Sequence, residues 1–167
     1  MSTILAVLVV LIADRVTKIL VVRNLPFEVP VAPFPALGKW FTFTYIHNTG
    51  AAFGMFREGC YLFAAVAVFV VIGLVAWYDR LPVEHLLVRI AVGLIVGGAT
   101  GNLVDRVRTC YVVDFLDFHF WPVFNVADSA VVVGVITLGV YMLLSEGSAH
   151  ETEPQGKPIG REESGGG

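Results

Sequence analysis

Nineteen consecutive residues, Cys60 to Tyr78, carry no charged side chain. A helix needs roughly 20 apolar residues to cross a hydrocarbon core about 30 Å thick, so the run is long enough to span one. Three further stretches compare with it: Ile4 to Val22, interrupted by Asp14, Arg15 and Lys18; Leu86 to Leu103, which carries only Arg89 before reaching Asp105; and Val126 to Leu144, with Asp128 near its start. Four membrane-crossing helices are expected. Composition agrees: 56% of the 167 residues are hydrophobic and 15% charged, and the mean hydropathy is +0.77. That apolar share exceeds an ordinary soluble domain's.

Several function classes drop out early. A net charge of -3 provides no basic field for nucleic acid. His47, His85, His119 and His150 are scattered, with no HExxH or comparable metal spacing, and there is no GxSxG elbow. The glycine-rich Gly97 to Asn102 lies inside an apolar helix and lacks a P-loop lysine. No metal and no cofactor are expected. Cys60 and Cys110 match neither a disulfide framework nor a zinc site, and both are expected to be unpaired small apolar residues. The N-terminal run lacks a basic n-region and a small-residue cleavage site, so it is read as a retained helix. From Ser145 the chain turns polar and rich in Glu and Gly. Residues 146–167 are therefore expected to form a disordered tail beyond a single membrane domain, 1–145.

Between the first two apolar runs, Pro26, Pro30, Pro33 and Pro35 argue against helix. The following stretch alternates Phe41, Phe43 and Tyr45 with Thr42 and Thr44, the period of two that gives a pleated strand one apolar face. Tyr111 to Trp121 is a second such stretch, and the two are expected to pair as a small sheet at the bilayer surface. Consecutive spans alternate in direction, so loops 23–59 and 104–125 share one side of the membrane. The exits of helices one and three and the start of helix four then lie at one face, with Asp14 about 12 Å below the end of its helix. Lysines and arginines are too evenly divided to say which side this is. Gly93, Gly97 and Gly101, at four-residue steps, predict a small-residue face for close helix packing.

The ionisable residues in these runs are functional candidates by default, since lipid penalises them by a few kcal/mol. Asp14 and Lys18 are four apart, placed either to neutralise one another or to serve a site. Asn102 and Arg106 repeat that spacing with Asp105 beside them, and Arg106 can snorkel to lipid phosphates or orient a substrate group. Arg15, Arg89 and Asp79 are expected to be interfacial anchors. Asp114, in Val112-Val-Asp-Phe-Leu-Asp, and Asp128, in Phe124-Asn-Val-Ala-Asp, are separated by a loop that can fold back on itself. Two neighbouring carboxylates cannot both ionise cheaply, so one keeps a proton while the other acts as base toward water, the requirement for aspartyl peptide hydrolysis. Asp128 is equally placed to cap helix four. A small ion or proton transporter is the competing reading, because relays also use intramembrane Asp and Lys.

Five segments in order resemble the lipoprotein signal peptidase family, the bacterial signal peptidase II: Asp14-Arg-Val-Thr-Lys18, Asn48-Thr-Gly-Ala-Ala-Phe-Gly54, Gly97-Gly-Ala-Thr-Gly-Asn-Leu-Val-Asp-Arg106, Val112-Val-Asp-Phe-Leu-Asp117 and Phe124-Asn-Val-Ala-Asp128. The resemblance implies an α-helical membrane protein with four transmembrane helices, a small periplasmic β-cradle and an interfacial helix. It implies a site at the outer face of the bacterial inner membrane, with both termini in the cytoplasm. It further implies that Asp114 and Asp128 are a catalytic dyad, that Asn48, Asn102, Arg106 and Asn125 line the site, and that Asp14 and Lys18 support it; Asp105, beside Asn102 and Arg106, and Gly50, which allows close backbone approach or simply a turn, are expected to support it too. The implied substrate is a diacylglyceryl-modified prolipoprotein, cut just before its lipidated cysteine. Membrane lipid is the other expected partner, and the chain is expected to act as a monomer.

Overall fold

The computed structural model describes residues 1–50 and 59–150. In order these form α1 (Ser2–Asn24), β1 (Thr42–Asn48), α2 (Gly59–Ala76), α3 (Leu86–Thr109), β2 (Val112–Asp117) and α4 (Val126–His150). Helix α4 thus continues past residue 145, where the tail was expected to begin. Gly54, Arg57 and residues 151–167 lie outside the described residues. The further helical pieces among the described residues are single 3-10 turns at Pro35–Leu37 and Tyr78–Arg80, and neither is long enough to be the implied interfacial helix.

Helix α3 is the hub on which α1, α2 and α4 pack. Its glycines explain why. A Cβ at Gly93 would lie 2.6 Å from that of Ala6, and one at Gly97 2.9 Å from that of Val10, so the predicted small-residue stripe is the seat of α1. Gly98 faces the other way, against the Ala127 carbonyl of α4, and Gly134 of α4 returns the close approach onto Ala91. Lipid tails are as apolar as leucine, so contact of this kind, rather than hydrophobic burial, holds membrane helices together. The outward surfaces are apolar: Leu62, Phe69, Ile72 and Val75 of α2 are 61–78% exposed. Such surfaces call for an apolar solvent. Among the described residues, Leu86–Thr109 and Val126–Ser145 are long and apolar enough to cross a membrane, and Cys60–Ala76 is apolar but shorter. In α1, Asp14 and Lys18 interrupt the apolar run and are buried.

Strands β1 and β2 pair antiparallel, which brings the two expected loops to one end of the bundle. Val21, Tyr45, Val113 and Phe115 form a core where the sheet meets the end of α1. The second strand stops at Asp117, short of Trp121. Phe124 bonds back to Leu116, so the chain returns to the sheet just before α4 begins. The expectation of a single apolar face on β1 is corrected. Thr42 and Thr44 are buried as well, hydrogen-bonded to one another at 3.0 Å, and the Thr44 hydroxyl donates to Asp117 at 2.8 Å.

The register contains a shift. Phe43 faces Leu116 but Ile46 faces Asp114, so Thr44 and Tyr45 stand opposite Phe115 alone. Because side chains alternate between faces, this extra residue moves Asn48 onto the face that carries Asp114. An unshifted register would turn Asn48 away.

Candidate active site

The start of α4 organises the polar residues. Asn125 precedes its first residue; its side-chain oxygen accepts the Asp128 N–H at 2.9 Å, and the Asp128 carboxylate accepts the Asn125 N–H at 3.2 Å. This reciprocal capping box satisfies two donors at the helix start. Asp128 therefore is a cap, as one reading expected, but the cap has a second consequence. With its oxygen engaged, the Asn125 amide must present its NH2 elsewhere. It donates to Asp114 Oδ1 at 2.6 Å and to Asn102 Oδ1 at 3.1 Å. One asparagine thus joins the two carboxylates.

Asp114 and Asn125 are fully buried, whereas Asp128 is half-buried. Asn48 donates to the second Asp114 oxygen at 2.7 Å, using the face the bulge provides. Burial, and then the negative charge of Asp128, push the Asp114 carboxyl from the ordinary 3.8 up to about 6, against the opposing pull of its two asparagine donors and Lys18. The Asp128 Oδ1 atom accepts from Asn102 Nδ2 at 2.7 Å. That amide is oriented in turn by Lys18, which donates to Asn102 Oδ1 at 3.0 Å.

Lys18 is more than the partner of Asp14. Its ammonium lies 2.9 Å and 3.0 Å from the two Asp14 oxygens and 2.7 Å from Asp105 Oδ2. Arg15, expected as an interfacial anchor, instead pairs with Asp105 Oδ1 at 3.2 Å. Gly101 makes room for this layer, since a Cβ there would meet Asp14 Oδ2 at 2.9 Å. Arg106 is half-buried, and the charges acting on it are Asp128, Asp114 and Asp105. Its guanidinium lies 5.4 Å from the centre of the Phe63 ring, and its Nε is buried without a hydrogen-bond partner among the described residues. Gly50 has φ +76°, and its N–H donates to Asn48 Oδ1 at 2.8 Å, closing a turn that aims the Asn48 NH2 at Asp114.

Every site residue named from the sequence thus belongs to one connected layer or borders it. The expectation for the cysteines is overturned: Cys60 and Cys110 form a disulfide that joins the start of α2 to the end of α3. The alternation of spans already placed those two helix ends at one face, and that was the signal available for the pairing. Phe63 had no such signal, being one aromatic in an apolar run. Beside Asp128 opens an apolar cleft of about 430 Å³, lined by Phe118, Phe120, Trp121, Phe124, Ser129, Val132 and Val133. A buried carboxyl near neutrality, linked to a second carboxylate on the wall of an apolar cleft, can perform general acid and base steps on a substrate with an apolar portion.

Comparison with known proteins gives a consistent result. Residues 6–144 match the family described as signal peptidase (SPase) II. The lipoprotein signal peptidase of Moorella thermoacetica is 45% identical over 147 residues, covering 88% of this chain and 96% of that protein. The one from Symbiobacterium thermophilum is 41% identical over 150 residues, covering 87% and 97%. Two solved structures, each described as a bacterial membrane enzyme determined by the in meso method, share the fold. One, at 2.3 Å, has a TM-score of 0.76 at 29% identity, covering 93% of this chain and 94% of that one. The other, at 1.9 Å, has a TM-score of 0.76 at 31% identity, covering 84% and 92%.

Proposed function

This chain belongs to the signal peptidase II family, and we propose that it is an aspartyl endopeptidase that removes the signal peptide from diacylglyceryl-modified prolipoproteins, cutting just before the lipidated cysteine. Its membrane setting follows from the family and from the membrane enzymes that share its fold. The observation that carries the aspartyl reading is Asn125, whose one side chain bonds Asp114 and caps the helix through Asp128. Among the described residues, Asp14, Lys18, Asp105, Asp114 and Asp128 are joined through Asn102 and Asn125 in one network at the site end of the bundle, an arrangement that does not favour a transporter.

The two carboxyls share one proton, and their surroundings divide the roles. Asp128 borders the cleft, sits at a helix N-terminus whose dipole favours negative charge, and accepts from Asn102 and the Asn125 N–H. It is the base. Asp114, buried and raised to about 6, holds the proton. Asp128 takes a proton from water as the oxygen attacks the scissile carbonyl carbon, and Asp114 gives its proton to the developing oxyanion. On collapse the C–N bond breaks, Asp128 passes its proton to the departing amine of the cysteine, and Asp114 recovers one from the intermediate's hydroxyl. Arg106, a half-buried cation acted on by the charges of Asp128 and Asp114, is placed to hold a substrate oxygen. The apolar cleft beside Asp128 suits the lipid-soluble part of the substrate.

Four spans, with the layer at the outer face of the cytoplasmic membrane, complete the proposal. The disulfide at the site end supports that orientation, because such bonds persist in oxidising compartments and are rare in the cytosol. Asp114→Asn and Asp128→Asn should each lower turnover of a diacylglyceryl-modified substrate by about 10³-fold or more, without loss of folded protein. Full cleavage by either variant would end the aspartyl reading.

A further inference from the structure

We propose that the Cys60–Cys110 disulfide and the Phe63 ring form a clamp that positions Arg106 and the Asn48–Gly50 turn for catalysis, so that turnover depends on an oxidised bond outside the dyad. The inference rests on the aspartyl reading above. Phe63 lies three residues after Cys60 on α2, a spacing that puts the two side chains on one helical face. Cys110 caps α3 just past Thr109, so the bridge draws that face of α2 to the end of α3 that carries Arg106. The guanidinium lies 5.4 Å from the ring centre, a cation–π contact.

A second contact brings the ring to the other side of the site. Gly50 approaches Phe63 so closely that a Cβ added there would run into the ring. The Gly50 N–H holds Asn48 Oδ1 at 2.8 Å, and that bond turns the Asn48 amide to donate to Asp114 at 2.7 Å. One ring therefore touches both the cation that faces the dyad and the turn that orients a dyad ligand. Helix α2 brings no charged side chain to the polar layer. It reaches the layer through the sulfur bridge, with Cα atoms 5.3 Å apart, and through this ring. Cys110 adds a further tie, its N–H donating to the Arg106 carbonyl at 3.0 Å from a left-handed conformation with φ 59°.

The test uses the purified full chain in lipid nanodiscs with a diacylglyceryl-modified prolipoprotein. A dithiol reductant delivers two electrons and two protons to the bridge, giving two thiols, and itself closes to a disulfide. The expected result is a fall in kcat of about tenfold, since small misplacements at a site are costly, with KM changed by less than about twofold. Re-oxidation should restore kcat. The Cys60→Ser/Cys110→Ser protein should show the lowered kcat with or without reductant. Phe63→Leu should lower kcat with the bridge intact, and Phe63→Tyr should recover it, which a purely structural contribution to stability would not produce. Two free thiols in the untreated protein, or undiminished kcat after verified reduction, would overturn the clamp. So would undiminished kcat in Phe63→Leu. Activity in Asp128→Asn would instead remove the aspartyl reading, so the two failures are distinguishable.

Discussion

Helices α1 and α2 both pack on α3, but by opposite means. The α1 contact is dense, with glycines of α3 against its backbone and a layer in which Lys18 serves Asp14, Asp105 and Asn102. Helix α2 offers apolar side chains to its surroundings, and a Cβ on its Gly73 would meet nothing within 4 Å. Its firm attachment is at the site end, through the disulfide. The fold is unyielding where it buries charge. Buried charge tolerates no slack, because a carboxylate that loses its cation in a low dielectric has no water to replace it.

Lys18→Met leaves Asp14 and Asp105 buried without their shared ammonium. We expect a loss of roughly 3–5 kcal/mol, read as a fall in thermal midpoint in micelles. An unchanged midpoint would mean that the layer does not stabilise α1 on α3. Next comes pH. The Asp114 carboxyl is raised above its unfolded value, so the folded state holds this proton more tightly, and its contribution is fully present below about pH 4 and lost as pH rises through about 6. A shift of that size corresponds to about 3 kcal/mol in total, from well below pH 4 to pH 7 and above, and Asp114→Asn should flatten this part of the stability profile. In the intact enzyme, kcat/KM should decline as pH rises through the same region, because the dyad loses its shared proton; the midpoint belongs to the pair. A profile that keeps rising there would remove the requirement for a shared proton in the dyad.

Smaller effects test the two interfaces directly. Gly97→Ala puts a Cβ 2.9 Å from that of Val10 and should lose about 1–3 kcal/mol through overpacking. Gly73→Ala enters open space and should gain up to about 1 kcal/mol from helix propensity. Equal responses in thermal midpoint would erase the distinction between α1 and α2.

Much of this was legible in the chain alone. The apolar runs located all four helices to within a few residues at most ends, because hydropathy and backbone periodicity are local properties. The exceptions lie at helix ends: α3 continues to Thr109, carrying Asn102, Asp105 and Arg106 on an unbroken helix, and α4 continues to His150. Alternation of spans brought β1, β2 and the candidate acids to one end. The capping role of Asp128 could be foreseen because a cap involves only neighbours in sequence.

Contacts between partners far apart in the chain came from packing alone. One extra residue in β1 chose the face of Asn48, and nothing in the Phe and Thr alternation announces a bulge. The spacing of Asp14 and Lys18 predicted a pair, but the ammonium also bonds Asp105 and Asn102 from another helix, and Arg15 turns to Asp105. The cysteines were expected to be unpaired; their pairing depends on two helix ends meeting across α2 and α3. Composition and period suffice to place the apolar helices, the buried ionisable residues and the end at which these collect. The tertiary structure decided which amide faces which carboxylate and which sulfur meets which. The physical reason is directionality: apolar burial needs only composition and period, whereas a hydrogen bond, an ion pair or a disulfide needs two specific groups brought together by the packing of separate elements.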